Sequence, residues 1–332
     1  MKVCVTGASG FLGQALVREL LAGGYEVVGI GRRPKPANLD IPYFQGDLSE
    51  GSVFEKALPG CEAIFHTAAK AGIWGPLESY MAANVKATRN ALKAAEHFEL
   101  PYFIHTSTAS VVFNHQPLVH ADESQPLGKH HLCAYTYTKA LAEQIVLKAH
   151  NGSKLQTICL RPHLIWGKGD PHLFPRLIAK AQKKKLWQIG SGENWVDLTH
   201  VDNVAWAHVQ ALNAFREGRP IGGKPYFITQ KEPVALWPWV NNFLKALKLP
   251  AVRRKASLKM AYRIGGFLEK IYEFLPKEWE PPLTRFMALE LALTHTFNCQ
   301  GASDAFGYAP KRSFADGMEE AIEEWTEKLS KS

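Results

Sequence analysis

The chain has 332 residues, enough to bury one large α/β core with a smaller lobe, and its composition is that of an ordinary globular protein. It has no run of about 18 uncharged apolar residues and opens on a strand rather than a basic-then-apolar leader, so a cytoplasmic protein without a spanning segment is expected. The formal charge of +8 suits an anionic ligand, an acidic membrane surface or a solvated basic face, without any nucleic-acid motif; five scattered cysteines lacking a C-x-x-C pair are expected to be reduced.

Val3 to Val5 is an apolar run suited to a buried strand, and Gly7, Gly10 and Gly13 follow before an amphipathic helix, Phe11–Leu21. The first glycine permits a sharp turn, the second lets backbone N–H groups approach a pyrophosphate, and the third lets helix and strand pack closely. Ser9, Phe11 and Leu12 complete this dinucleotide-binding turn, with the helix N-terminus facing the anion. A second strand, Glu26–Ile30, ends in Gly31-Arg32-Arg33. An acid at this place would hold ribose hydroxyls, whereas an arginine accommodates a 2′-phosphate, so NADP is favoured over NAD unless Arg32 and Arg33 are plain surface charges. Phe44–Leu48 is expected as a third strand. Asp47 and Leu48 then lie near the adenine, though Asp47 could equally open the helix Glu50–Ala57.

A fourth strand, Ala63–His66, runs into Thr67, Ala68 and Ala69, whose small side chains leave the backbone free to approach a ligand. Lys70 and Trp74, in the loop that follows, are candidate cofactor or substrate contacts. In the helix Leu77–Phe98, Asn84 is expected to brace a neighbouring backbone. The fifth strand, Tyr102–Thr106, carries Ser107, Thr108 and Ser110 at its carboxyl end, where hydroxyls can donate to a carbonyl oxygen gaining negative charge. After a polar loop, Asn114–His131, comes a helix with Tyr135 and Lys139 four apart and therefore on one face. A phenol needs a nearby positive charge to act near neutrality, and Lys139 supplies one. Tyr137 faces Leu141 instead and is expected to pack or to meet substrate.

These residues resemble the extended short-chain dehydrogenases/reductases. The resemblance runs through Gly7 to Gly13, Gly46-Asp47-Leu48, His66 to Ala69, Tyr135 and Lys139, Leu160-Arg161-Pro162 and Val201 to Ala205. Ala68 to Gly75, Leu164 to Asp170 and Glu280 to Phe286 look most like the 3β-hydroxysteroid dehydrogenase-type branch and, within it, bacterial 2-alkyl-3-oxoalkanoate reductases. The resemblance implies Tyr135 as acid–base, Lys139 as ribose and charge partner, and Thr108 at a position where serine is commoner, with Ser107 as the substitute if the register slips by one. It also implies a Rossmann fold, that is, a doubly wound parallel sheet with a smaller, mostly helical C-terminal substrate lobe.

The sixth strand, Thr157–Leu160, leads to Pro162 and His163, placed for backbone contacts to nicotinamide. Trp166 opens a turn through Asp170 and is a candidate substrate contact. The dinucleotide domain is expected over 1–162, with segments near 196–229 and 304–330 returning to it, and the lobe over 163–303. In Lys255–Leu275, Met260, Ile264, Phe267, Leu268 and Ile271 fall at helical spacing among basic residues, consistent with core, cavity wall or a peripheral membrane contact. Arg285 is a candidate for a substrate carboxylate or else a surface salt bridge. The closing helix Phe314–Leu329 is expected to fold back on the main domain. No Gly-x-Ser-x-Gly elbow is present, and His130, His131 and Cys133 lack a second cluster that would make a metal site. The expected reaction is NADPH-dependent reduction of a long-chain 2-alkyl-3-ketoacid, an apolar carboxylate, in an olefin-forming lipid pathway. A 3β-hydroxysteroid dehydrogenase, a nucleotide-sugar epimerase or dehydratase, and a non-catalytic NADP sensor are the alternatives. A homodimer, open to assembly with pathway enzymes, is the expected state.

Overall fold

The computed structural model describes residues 1–276 and 279–331. Its centre is a seven-stranded parallel sheet made of β1 (Lys2–Thr6), β2 (Glu26–Gly31), β3 (Tyr43–Gln45), β4 (Ala63–His66), β5 (Tyr102–Thr106), β6 (Gln156–Pro162) and β7 (Pro225–Ile228). The order across it is β7-β6-β5-β4-β1-β2-β3, the doubly wound arrangement. The direction of winding reverses between β1 and β4, which puts the ligand crevice outside their carboxyl ends.

Successive side chains of a strand point to opposite faces, and here both faces are covered by helices. Val3, Val5, Phe65 and Ile104 pack with Leu16, Leu20 and Leu212 on one side. Cys4, Ile64, Phe103 and Cys159 pack with Phe54, Leu92 and Val146 on the other. All five cysteines are buried free thiols. A separate apolar cluster holds Trp166, Phe174, Trp237 and Phe243. The closing helix Phe314–Ser330 packs Phe314, Met318 and Trp325 against that cluster.

Three boundaries differ from expectation for local reasons. The third strand stops at Gln45 and the next helix covers only Val53–Ala57, because Asp47 accepts from the Ser49 N–H at 2.8 Å and turns the chain there. The long helix from Leu77 contains a π-helical segment, Met81–Lys86, between α-helical Leu77–Tyr80 and Ala87–His97. The polar loop after β5 hides the strand Leu118–Ala121, which joins His295–Phe297, Trp195–Val196 and Val234–Ala235 in a second sheet. Among the described residues no helix is long and apolar enough to cross a membrane.

One polar link inside this apolar frame fixes the helix Ala134–Lys148 against the sheet. Glu143, fully buried, accepts from Arg161 Nη2 at 2.6 Å and Nε at 3.0 Å. The Arg161 guanidinium lies over the Phe227 ring, 5.2 Å from its centroid. Removing one member of such a pair strands a buried charge. Arg161→Met is therefore expected to lower unfolding free energy by about 3–5 kcal/mol in urea titration. A wild-type midpoint would remove this pair from the account of the fold.

Candidate active site

The glycine turn is built by contacts that admit no side chain. Gly7 takes φ +71° and donates to the Ile30 carbonyl at 2.7 Å; a Cβ there would lie 2.9 Å from the Ala68 backbone. A Cβ on Gly13 would stand 2.1 Å from the Gly7 carbonyl oxygen, so helix and strand approach as closely as the motif requires. Gly10 begins the helix Phe11–Ala22 without a side-chain cap, leaving the first-turn N–H groups, Phe11 and Leu12 included, for an anion. These features fit a dinucleotide pyrophosphate.

Arg33 Nη2 donates to the Ser9 carbonyl at 2.7 Å. With Ser9, Phe11, Gln14, Arg18 and Lys168 it lines a cationic cleft beside the turn. Arg32 lies apart and acts on Asp47, whose carboxyl is held below its ordinary range first by the Ser49 N–H and also by the Arg32 charge. Leu48 is buried in the core, so only its main chain is available to a ligand. Thr67 Oγ1 donates to the Thr6 carbonyl at 2.7 Å and the Ala68 N–H to Thr6 Oγ1 at 3.3 Å, which laces the loop from Thr67 through Ala69 to β1. Asn84, in the π-helical segment, braces as expected. Its Oδ1 accepts from the Lys70 N–H at 2.7 Å, while Nδ2 donates to the Lys70 carbonyl and to Thr138 Oγ1 on the next helix.

At the carboxyl end of β5, Thr108 caps a 3₁₀ turn, its hydroxyl accepting from the Ser110 N–H at 3.3 Å, and lies near enough to the Tyr135 phenol to act on its proton affinity. Burial pushes Tyr135 up to about 12, with the Thr108 contact pulling the other way, so the phenol holds its proton at neutral pH. One turn on, Lys139 is buried and brought down to about 8 by the same loss of water. Its Nζ donates to the Thr106 carbonyl at 2.5 Å and lies 3.3 Å from His105 Nε2. Burial first, and then the Lys139 charge, keeps His105 neutral. A proton-bearing phenol, a hydroxyl beside it and a buried cation at a strand end can protonate and stabilise an oxygen that gains charge.

Several expected site residues are engaged elsewhere. Ser107 turns inward and donates to Glu143 at 2.6 Å, so its hydroxyl is engaged away from Tyr135. Trp166 is wholly buried, edge-on to Phe174 and His200, and is a packing residue, not a substrate contact. Arg285 gives both its N–H and its Nε to Glu269, each at 2.6 Å, so the salt-bridge alternative holds and its charge is not free for a carboxylate. The His163 ring contacts the Asp197 carbonyl at 2.8 Å and joins Glu290 and His295 in a group whose polar atoms all lie within 4.8 Å of one another, leaving only its backbone for a cofactor. Pro162 ends β6 in register with Ile228. Lys70 Nζ donates to Ser79 Oγ and lies over the Tyr80 ring, while the Trp74 carbonyl accepts from the Tyr80 hydroxyl, so both residues sit in a tied-down loop after β4. Tyr137 is partly exposed beside His131. The site residues missed from sequence are His105, Thr106, Glu143 and Arg161. Glu143 was findable, since it follows Lys139 by four on the face that carries Tyr135.

The model of the 3-beta hydroxysteroid dehydrogenase/isomerase family matches residues 4–260. A curated relative from Stenotrophomonas maltophilia, a 2-alkyl-3-oxoalkanoate reductase, is 41% identical over 96% of this chain and 97% of its own. Human sterol-4-alpha-carboxylate 3-dehydrogenase, decarboxylating, is 31% identical over 96% of this chain and 87% of its own. Among solved structures, UDP-glucuronic acid 4-epimerase from Bacillus cereus in complex with NAD superposes with a TM-score of 0.72 at 25% identity, covering 99% of both chains. The chain belongs to the 3-beta hydroxysteroid dehydrogenase/isomerase family and is an oxidoreductase.

Proposed function

We propose that this protein reduces the 3-keto group of a long-chain 2-alkyl-3-ketoacid with NADPH, the reaction type named for its curated relatives in Stenotrophomonas and Shewanella. The observation that carries the reading is the helix bearing Tyr135 and Lys139 set at the carboxyl end of β5, where buried Lys139 Nζ donates to the Thr106 carbonyl at 2.5 Å, in a sheet whose first strand ends in the glycine turn. When bound in that turn, the dinucleotide supplies the hydride. Thr108 and Tyr135 then bind the ketone oxygen, and Tyr135 gives it a proton. The Lys139 charge favours that proton loss. The turn from Gly7 to Gly13, with Thr67 to Lys70 and the backbone at Pro162 and His163, holds the dinucleotide. Arg33, lying against Ser9 in a cleft with Arg18 and Lys168, supports a 2′-phosphate and hence NADP. The cluster around Trp166, Phe174 and Phe243 is the floor of a lobe that covers the substrate. The likeness to sterol carboxylate dehydrogenases keeps a 3-hydroxysteroid as the second reading.

Purified protein offered NADPH or NADH with a 2-alkyl-3-ketoacid, a ketosteroid and a UDP-sugar separates these readings by loss of reduced-nicotinamide absorbance. The ketoacid with NADPH is expected to turn over fastest; a faster UDP-sugar or equal NADH rates would overturn the substrate or cofactor assignment. Tyr135→Phe is expected to keep cofactor affinity and lose roughly 10²–10⁴-fold in kcat.

The same site generates a pH signature. Lys139 is charged below about 8 and neutral above it, whereas Tyr135 keeps its proton to about 12. The reduction rate is expected to be level on the acid side of the Lys139 transition and to fall on its alkaline side. A kcat profile flat through that transition would contradict the role given to Lys139.

A further inference from the structure

The helix Leu258–Tyr272 is packed inside out. Its buried positions are Ala261, Gly265 and Glu269, the last a carboxylate paired with Arg285. A Cβ on Gly265 would stand 2.7 Å from the Thr284 backbone, so this face is pressed onto the neighbouring segment and the helix cannot roll. The apolar residues therefore point outward. Met260, Ile264, Phe267 and Ile271 recur at steps of four and three and continue into Phe274, forming one stripe along the axis. Phe267 is 66% exposed and Phe274 89%, and Trp279 beyond them is also exposed. A row of exposed large apolar side chains is the mark of a surface meant to be covered.

The charges say what covers it. At about 100° per residue, Lys259, Arg263 and Lys270 fall together along one flank of the stripe, while the buried face takes the other. All three are exposed, as is Lys255 just before the helix. A second copy packed antiparallel on this stripe would bring these cations against their own equivalents, on a chain already carrying +8. An anionic bilayer accepts both features at once, with the rings in the acyl boundary and the basic side chains at the headgroups.

We propose that the outward face of Leu258–Tyr272, with Phe274 and Trp279, docks this protein onto an anionic lipid bilayer. The dock is peripheral and reversible. It puts the lobe against the phase in which long-chain amphiphiles reside.

The test is co-sedimentation of the full chain with vesicles of phosphatidylcholine alone or with phosphatidylglycerol added, together with its mass in solution. Wild type is expected to bind the anionic vesicles, to bind neutral ones far more weakly, and to be released by high salt. Phe267→Glu is expected to cut partitioning roughly tenfold or more, and Lys259→Glu with Lys270→Glu by a similar factor. Both sites are exposed, so an unchanged circular dichroism spectrum will accompany the loss. Absence of binding to anionic vesicles, equal binding to neutral ones, or unaltered binding by Phe267→Glu would overturn the proposal. So would a dimer that Phe267→Glu splits and that ignores vesicles. Vesicle binding needs no turnover, so its outcome stands apart from that of the reductase reading.

Discussion

The Glu143 carboxylate sits beneath the catalytic helix and accepts from Arg161 on β6 and from Ser107 at the end of β5. Taking a charge out of water is costly, and only its pairing with the Arg161 guanidinium and the added Ser107 hydrogen bond offset that cost. The result is geometric: one helix and two adjacent strand ends are held in a single register. Lys139 and Tyr135 lie one and two turns back along the same helix face. Thr108 follows Ser107 directly. The position of the phenol therefore depends on a buried residue two turns along its own helix.

Burial then acts on Tyr135 and Lys139 in opposite senses. Water exclusion disfavours the charged form of each, so the phenol keeps its proton and the ammonium is loosened. The phenol's retained proton is then available at neutral pH, while the lowered Lys139 value sets the alkaline limit of the charge that assists its loss. The second anchor is Asn84, whose amide links the Lys70 backbone after β4 to Thr138 on the catalytic helix. It projects from a π-helical segment, a local widening often found where a side chain must be aimed. Between them, Glu143 and Asn84 secure the catalytic helix to the strands from β4 to β6.

What was legible in the sequence follows from how local each signal is. The glycine turn and the Tyr135 and Lys139 spacing depend on neighbours within a dozen residues, and the sheet strands are runs of buried apolar residues; these match the structure closely. Pairings that join distant segments were not legible. Arg161 with Glu143 and Arg285 with Glu269 are set by packing, and a lone arginine in sequence looks the same whether its partner is a ligand or a buried acid. Trp166 misled for the same reason, since an aromatic after a strand carries no mark of which side it will pack on. The two- to four-residue strands of the second sheet are too short for periodicity to show. The stripe at Met260 to Ile271 was visible as a pattern, but only the buried Gly265 and Glu269 show that it faces outward.

The account stands on where the Tyr135 oxygen lies relative to a bound ketone. A crystal structure of the protein with oxidised cofactor and a 2-alkyl-3-ketoacid measures that directly. It should place Tyr135 Oη and Thr108 Oγ1 each within about 3 Å of the ketone oxygen. A phenol turned from that oxygen, with a different side chain in its place, would contradict the assignment of the proton donor and with it the reading of the site.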